Sequence, residues 1–222
     1  MIVLMQGIKF YRHYSEVKKL IKDHGKVWLF FLYYWVIFGV GTYFGQFLPE
    51  EWRPTLSMSL FAIIMISFFV RGFNRSGPIL SHIYAILIGL VSFGTFEGFI
   101  NQFDAEIFYQ VVMIAVAVFI FFGIIGYFYL KDISSWGKYL FMALLILIFS
   151  SLLNFFIQLD WLAFAITIVG LLLYLGFTMY DFNRMKNNKY RNPRVMGFNL
   201  FIDLIILIKR ILQLYRRFGN KR

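Results

Sequence analysis

The chain alternates long apolar stretches with short polar connections. Val27–Leu48, Pro54–Val70, Ser76–Phe96, Ile107–Leu130, Tyr139–Leu159 and Trp161–Tyr180 contain no Asp, Glu, Lys or Arg. Each approaches the ~20 residues with which a helix crosses about 30 Å of hydrocarbon. A seventh stretch, Val195–Ile208, is apolar except for Asp203 and then turns amphipathic. Ile208, Ile211, Leu212, Tyr215 and Phe218 fall on one helical face, and Lys209, Arg210, Arg216 and Arg217 on the other. Run straight through to Arg217, this helix is long enough to cross at ~1.5 Å per residue, which carries six basic residues to the far side. If it dips in or lies along the interface, it keeps them with the other cations. The pattern predicts an all-α polytopic membrane protein of one domain. A basic segment, 1–26, precedes spans near 27–48, 54–70, 76–96, 107–130, 139–159, 161–181 and 195–217, and a basic tail, 219–222, follows.

Composition agrees. Of 222 residues, 60% are hydrophobic and 15% charged, where a soluble domain has about a quarter charged. The Lys- and Arg-studded first 27 residues leave MIVLM too short for an apolar signal core. Without cysteine there are no disulfides or thiolate metal sites.

The net charge of +11 suggests nucleic acid until its distribution is read. Lys9, Arg12, Lys18, Lys19, Lys22 and Lys26 precede the first span. The connections that follow hold Arg53, then Arg71 and Arg75, then none, then Lys131 and Lys138, then none, then Arg184, Lys186, Lys189, Arg191 and Arg194. That alternation is the positive-inside pattern with a cytoplasmic N-terminus. The basic-poor loops carry Glu50, Glu51, Glu97, Asp104, Glu106 and Asp160. The partner implied is a bilayer and not nucleic acid. Trp28, Trp52, Trp136 and Trp161 at span ends suit the headgroup level, and the GxxxG pairs Gly41/Gly45 and Gly94/Gly98 suit close helix packing. Aromatic and Lys/Asn-rich usage points to a bacterial cell membrane, with an endoplasmic reticulum-type membrane as the equivalent in a eukaryotic source.

The candidate chemistry lies in YLGFTMYDFNRMKNNKYRNPRVMGFNLFID, Tyr174–Asp203. With a turn at Asn192-Pro193, the strongest breaker, Asp181 and Asp203 are equidistant from position 192. Antiparallel helices leaving that turn bring both carboxylates to similar depth, Asp203 about 12 Å along its helix. Ionisable groups at such depth face a bundle interior, a partner or a watery path. Two carboxylates sharing a site do not both ionise easily, so one is expected to keep its proton to a higher pH.

Three readings of the pair compete: helix–helix hydrogen bonding, handling of Ca²⁺ or H⁺, and catalysis. Tyr180-Asp181 matches the YD element of intramembrane aspartyl proteases, but Asp203 follows NLFI and not GxG. His13, His24 and His82 are scattered with no HExxH, no serine sits in GxSxG, and Thr55 stands where an EExxxR motif from Glu50-Glu51 needs arginine. His82 reads as a packed or interface histidine. No enzyme is expected.

The residues that carry a family resemblance are GTYFGQFLP at Gly41–Pro49, FFVRG at Phe68–Gly72, FFGIIGYFYLKDISSWGKYL at Phe121–Leu140, YDFNRMK at Tyr180–Lys186 and NLFIDLIILIKRIL at Asn199–Leu212. In this order and spacing the chain resembles the Bax inhibitor-1 family, the transmembrane Bax inhibitor motif proteins, from about position 27 on. The resemblance implies a seven-helix bundle, six helices in two layers around a central C-terminal helix. It implies a pH-sensitive Ca²⁺ leak, with calcium as transported ion and no cofactor. Asp181 and Asp203 match the family's proton-sharing carboxylates and are the candidate calcium ligands. Arg71 matches an arginine thought to pair with the first of them in the closed state; a topology anchor is its plainer role. Glu97 is either an outer cation-attracting carboxylate or a loop acid. The alternative function is a non-conducting membrane protein that binds and regulates others, such as a protease or a death regulator. The chain departs from the family at Leu60, where some bacterial relatives carry glutamate, at TFEGF ending the third span, and in the basic tail from Lys209.

Overall fold

A computed structural model describes residues 2–53, 55–57, 77–190 and 192–219, with side chains from Asp23 onward except at Gly77 and Pro78. Most of the predicted second span, Arg71 and Arg191 lie outside the described residues. The described elements are helical: α1 (Ile2–Gly45), α2 (Gly77–Phe103), α3 (Ala105–Ile124) continued by a π-helical turn (Ile125–Tyr129), α4 (Trp136–Ile157), α5 (Asp160–Lys186) and α6 (Pro193–Gly219). Five stretches are long and apolar enough to cross a membrane: Asp23–Gly45, Ile79–Phe103, Ala105–Tyr129, Trp136–Ile157 and Asp160–Lys186. In hydrocarbon every backbone polar group must be paired within its own segment, which a helix achieves. Met113 on α3 and Phe156 on α4 are 72% and 74% exposed, a placement that suits lipid and not water.

The core is built around α6. It buries Met196, Leu200, Phe201, Asp203, Leu204, Ile205, Leu207, Ile208 and Leu212, and packs on α1, α2, α3 and α5, with α4 outside α5. The central C-terminal helix is therefore present.

The sequence left the course of this helix open, and the structure runs it as one continuous helix through the bundle. Near its start, Gly197 lies against Val27 and Phe31 of α1. Near its end, Arg217 donates to the Asp160 carbonyl (2.7 Å) and Phe218 meets Phe164. The helix is continuous over the full height of the bundle. Its cations are accommodated at the far end: Arg217 also lies over the Phe164 ring at 4.9 Å, where a guanidinium is favoured.

Two departures from the expected boundaries have local causes. The third span runs through Glu97 to Phe103, because the Glu97 carboxylate meets Arg53 at 3.1 Å and the helix need not end to expose it. The expected loop then shrinks to Asp104, at φ 83°, whose carboxylate caps α3 through the Ala105 amide. Of the two GxxxG pairs, the first brings backbones together, since a Cβ on Gly41 would stand 2.4 Å from the Ile86 carbonyl oxygen of α2. The second instead makes room for side chains, Arg53 at Gly94 and Arg216 at Gly98.

Candidate functional site

Asp181 on α5 and Asp203 on α6 are 3% and 4% exposed, and the charge of Asp181 bears on Asp203. The geometry is less symmetric than a turn at position 192 implies. α5 ends at Lys186, five residues beyond Asp181, whereas α6 starts at Pro193, ten residues before Asp203. The two approach because Asp181 sits level with the turn of α6 between Asn199 and Asp203, within reach of the Asn199 side chain. Residues four apart share one helix face, so Asn199 and Asp203 both look toward α5.

The cation found on Asp181 is Arg184, whose Nη1 donates to Oδ1 at 3.2 Å from one turn further along α5. Arg184 also lies over the Tyr180 ring at 5.3 Å and donates from Nε to the Lys189 carbonyl at 3.2 Å, which fixes its fork. Arg71, the expected partner, lies outside the described residues. Asp203 Oδ2 is buried without a hydrogen-bond partner among the described residues. A buried carboxylate oxygen left so is costly unless a proton, cation or water meets it. Thr178, one turn before Asp181, is fully buried but donates its hydroxyl to the Tyr174 carbonyl (2.9 Å), so that hydrogen is unavailable to the carboxylates.

Beside the pair, Asn183 fastens α5 to the end of α3. Its amide donates to the carbonyls of Gly126 (3.0 Å), Leu130 (3.1 Å) and Lys131 (2.5 Å), and its Oδ1 accepts from the Ile133 amide (3.1 Å). These carbonyls are available because the π turn and the extended residues after it lack regular helical partners. Gly126 permits the contact: a Cβ there would lie 2.2 Å from the Met179 carbonyl oxygen.

Outside the spans, Asp132 of the KDIS stretch accepts from the Lys189 ammonium, the Ser134 hydroxyl (2.6 Å) and the Ser134 amide (3.0 Å). The Lys189 hydrogen bond first, then those from Ser134, hold the Asp132 carboxyl well below the usual carboxylate range. Lys186 donates to the Leu130 carbonyl at 3.3 Å, and His24 of α1 shares a hydrogen bond with the Met185 carbonyl at 2.9 Å. The α3–α4 connection, the α5–α6 connection and α1 at His24 thus clasp the end of the bundle nearest the aspartates.

Glu97, the candidate outer cation site, is paired with Arg53, which also reaches Glu50 at 3.4 Å. It sits toward the end of α2, well away in sequence from both aspartates. His82, expected to pack, shares a hydrogen bond with the Tyr33 hydroxyl at 2.9 Å. Sequence reasoning passed over Arg184, Asn199 and Asn183. The signal was available for the first two, since Arg184 stands three residues after Asp181 and Asn199 four before Asp203.

Comparison with known proteins adds two kinds of match, a family profile and individual relatives. A family profile described as "Inhibitor of apoptosis-promoting Bax1" matches residues 21–221. The inner membrane protein YbhL of Escherichia coli (strain K12) is 29% identical over 151 residues, 63% of this chain and 62% of that protein. The uncharacterized protein RP147 of Rickettsia prowazekii is 29% identical over 70% of this chain and 68% of its own length. A Golgi anti-apoptotic protein of vaccinia virus (strain Lister) is 30% identical over 54% of this chain and 51% of its own. The match thus spans under two thirds of the length of the E. coli and vaccinia relatives.

Proposed function

Because the chain belongs to the Bax inhibitor-1 family, we propose that this multi-pass membrane protein is a pH-sensitive calcium leak whose gate is the Asp181–Asp203 pair. The single observation that carries the reading is two buried carboxylates on the packed helices α5 and α6, the charge of one bearing on the other, which has an oxygen lacking a partner among the described residues. A structural hydrogen-bonding pair would satisfy its polar atoms; a site that takes up and releases a proton or cation leaves capacity for it. Carboxylate oxygens suit Ca²⁺.

In this mechanism the pair shares a proton in one state of the bundle and binds it less tightly in another. Each pK unit of difference between the states biases the equilibrium by about 1.4 kcal/mol. The moving part is α6, which carries Asp203 and Asn199 and touches most of the surrounding helices. Arg184 offsets the charge of Asp181 when it is ionised, a role for which Arg71 is the further candidate. The N-terminus is assigned to the cytoplasmic side on the charge distribution of the loops, which puts the pair toward that side and Glu97 toward the other. With Arg53 beside it, Glu97 acts as an outer cation site only when that ion pair opens.

Purified protein in liposomes loaded with a calcium dye tests the conduction half of the proposal. The expected result is calcium entry above protein-free liposomes at one pH or another between 5 and 8. Entry no faster than the protein-free rate throughout, with the protein folded, rejects it.

A second reading is favoured by the name of the vaccinia virus relative, which is called anti-apoptotic. On that reading the chain conducts nothing and instead binds and restrains another membrane protein. Replacing both aspartates by asparagine then leaves its function intact, whereas the leak reading requires a change.

A further inference from the structure

The end of the bundle away from the aspartates holds a cavity of about 410 Å³ between α4, α5 and α6, lined by Ser151, Asn154, Thr167, Arg210, Gln213, Arg216 and Arg217 among others. Its size falls within the range of small-ligand sites. Three arginines of α6 line it, and among the described residues none of them forms an ion pair. Three carboxylates of this end are engaged elsewhere: Glu97 with Arg53, Asp104 on the Ala105 amide and Glu106 with the Gln110 side chain. Asp160 meets Arg217 through its carbonyl.

The arginines are held in place by α5 and α6 and not by counter-ions. Arg210 lies on the α5 backbone because residue 170 is glycine; a Cβ there would stand 2.8 Å from its Nε. Its Nη1 donates to Gln213 Oε1 at 3.2 Å, which leaves the Gln213 amide free to turn its N–H groups into the cavity. Arg216 Nε is buried without a hydrogen-bond partner among the described residues. Asn154 has its oxygen taken by the Leu159 amide at 3.1 Å, so it too offers N–H. Ser151 and Thr167 have given their hydrogens to the carbonyls of Leu147 and Ala163 and add none. What remains is a set of donors with positive charge and little acceptor capacity, which is the chemistry that recognises a multiply charged oxyanion.

We propose that this cavity binds a phosphate group, either as the headgroup of an anionic phospholipid or as a free phosphate, with Arg210, Arg216 and Arg217 supplying the charge-assisted hydrogen bonds and Asn154 and Gln213 the neutral ones. The site is separate from the carboxylate pair, since Arg210 stands seven residues beyond Asp203 on α6. It also gives a reason for a basic helix end at a place where loop charge counting did not expect one.

The test uses the full chain in neutral detergent, wild type beside Arg210→Gln/Arg216→Gln. In one arm, native mass spectrometry compares retention of phosphatidylglycerol and phosphatidylcholine; in the other, inorganic phosphate is titrated while thermal unfolding is followed. Loss of a guanidinium from a charge-assisted site weakens binding roughly tenfold or more. Wild type is expected to hold phosphatidylglycerol at least about tenfold better than phosphatidylcholine, or to be stabilised saturably by phosphate, and the double variant to lose that response. Lipid preference without a phosphate response identifies the headgroup, and the reverse identifies a free phosphate. Arg217→Gln at the cavity rim provides the same comparison should the double variant fail to fold. No preference in either arm for wild type, or an equal response in a folded variant, overturns the proposal.

Discussion

Asp132 gathers the Lys189 ammonium with the hydroxyl and amide of Ser134 on one exposed carboxylate, and so ties the α3–α4 connection to the loop that leads into α6. Its folded-state pKa is depressed, so whatever order it adds is fully present above the unfolded carboxylate value of about 3.9 and is lost as the pH falls toward the folded value. Asp132→Asn is therefore expected to speed amide hydrogen exchange at 187–190 at pH 7. The gap from wild type should narrow only below about pH 4 and with added salt, as for an exposed pair. An equal gap at pH 7 and pH 3 would mean that the residue acts through packing. The same scale explains why Arg184 is found on Asp181: three residues apart on one helix, they meet without help from the rest of the fold.

At the scale of elements, the contact between the π turn and α5 fixes where Asp181 sits. Backbone meets backbone at Gly126 and Met179, two residues before the aspartate, and Asn183 locks the pairing two residues after it. Gly126→Ala places a methyl against a carbonyl and is expected to cost about 1–3 kcal/mol, the range for overpacking a tight site. Thermal unfolding in detergent would register this as a fall of several degrees, and unchanged unfolding would mean that the two backbones lie further apart. Such elements were only partly legible in the sequence. Uncharged runs gave the spans because hydrocarbon tolerates little else, and hairpin spacing brought Asp181 toward Asp203. The π turn at Ile125–Tyr129 left no trace, since apolar residues read alike in α and π geometry. The pairing of Glu97 is not legible in the sequence because its neutralising Arg53 is 44 positions away, and no local pattern reports such a pair. The course of α6 was undecided for the opposite reason. Its charge pattern argued for an interfacial helix, while its accommodation depends on Gly170, Phe164 and a carbonyl of α5.

At the scale of the whole molecule, a helix carrying a buried carboxylate near one end and three arginines near the other runs through the middle of an apolar bundle. Around it stand helices whose outer faces suit lipid, and the loops at the aspartate end are cross-tied by Asn183, Asp132 and His24. A change of charge on Asp203 falls on a helix that touches α1, α2, α3 and α5 together. The most direct test of the central claim is calcium flux into dye-loaded liposomes measured across pH 5 to 8 for wild type, Asp181→Asn, Asp203→Asn and the double variant. The account predicts a flux that titrates in wild type, a shifted or weakened titration in each single variant, and a flux that no longer depends on pH in the double variant. A double variant that conducts with the pH profile of wild type would contradict it and return the two aspartates to the role of buried helix–helix contacts.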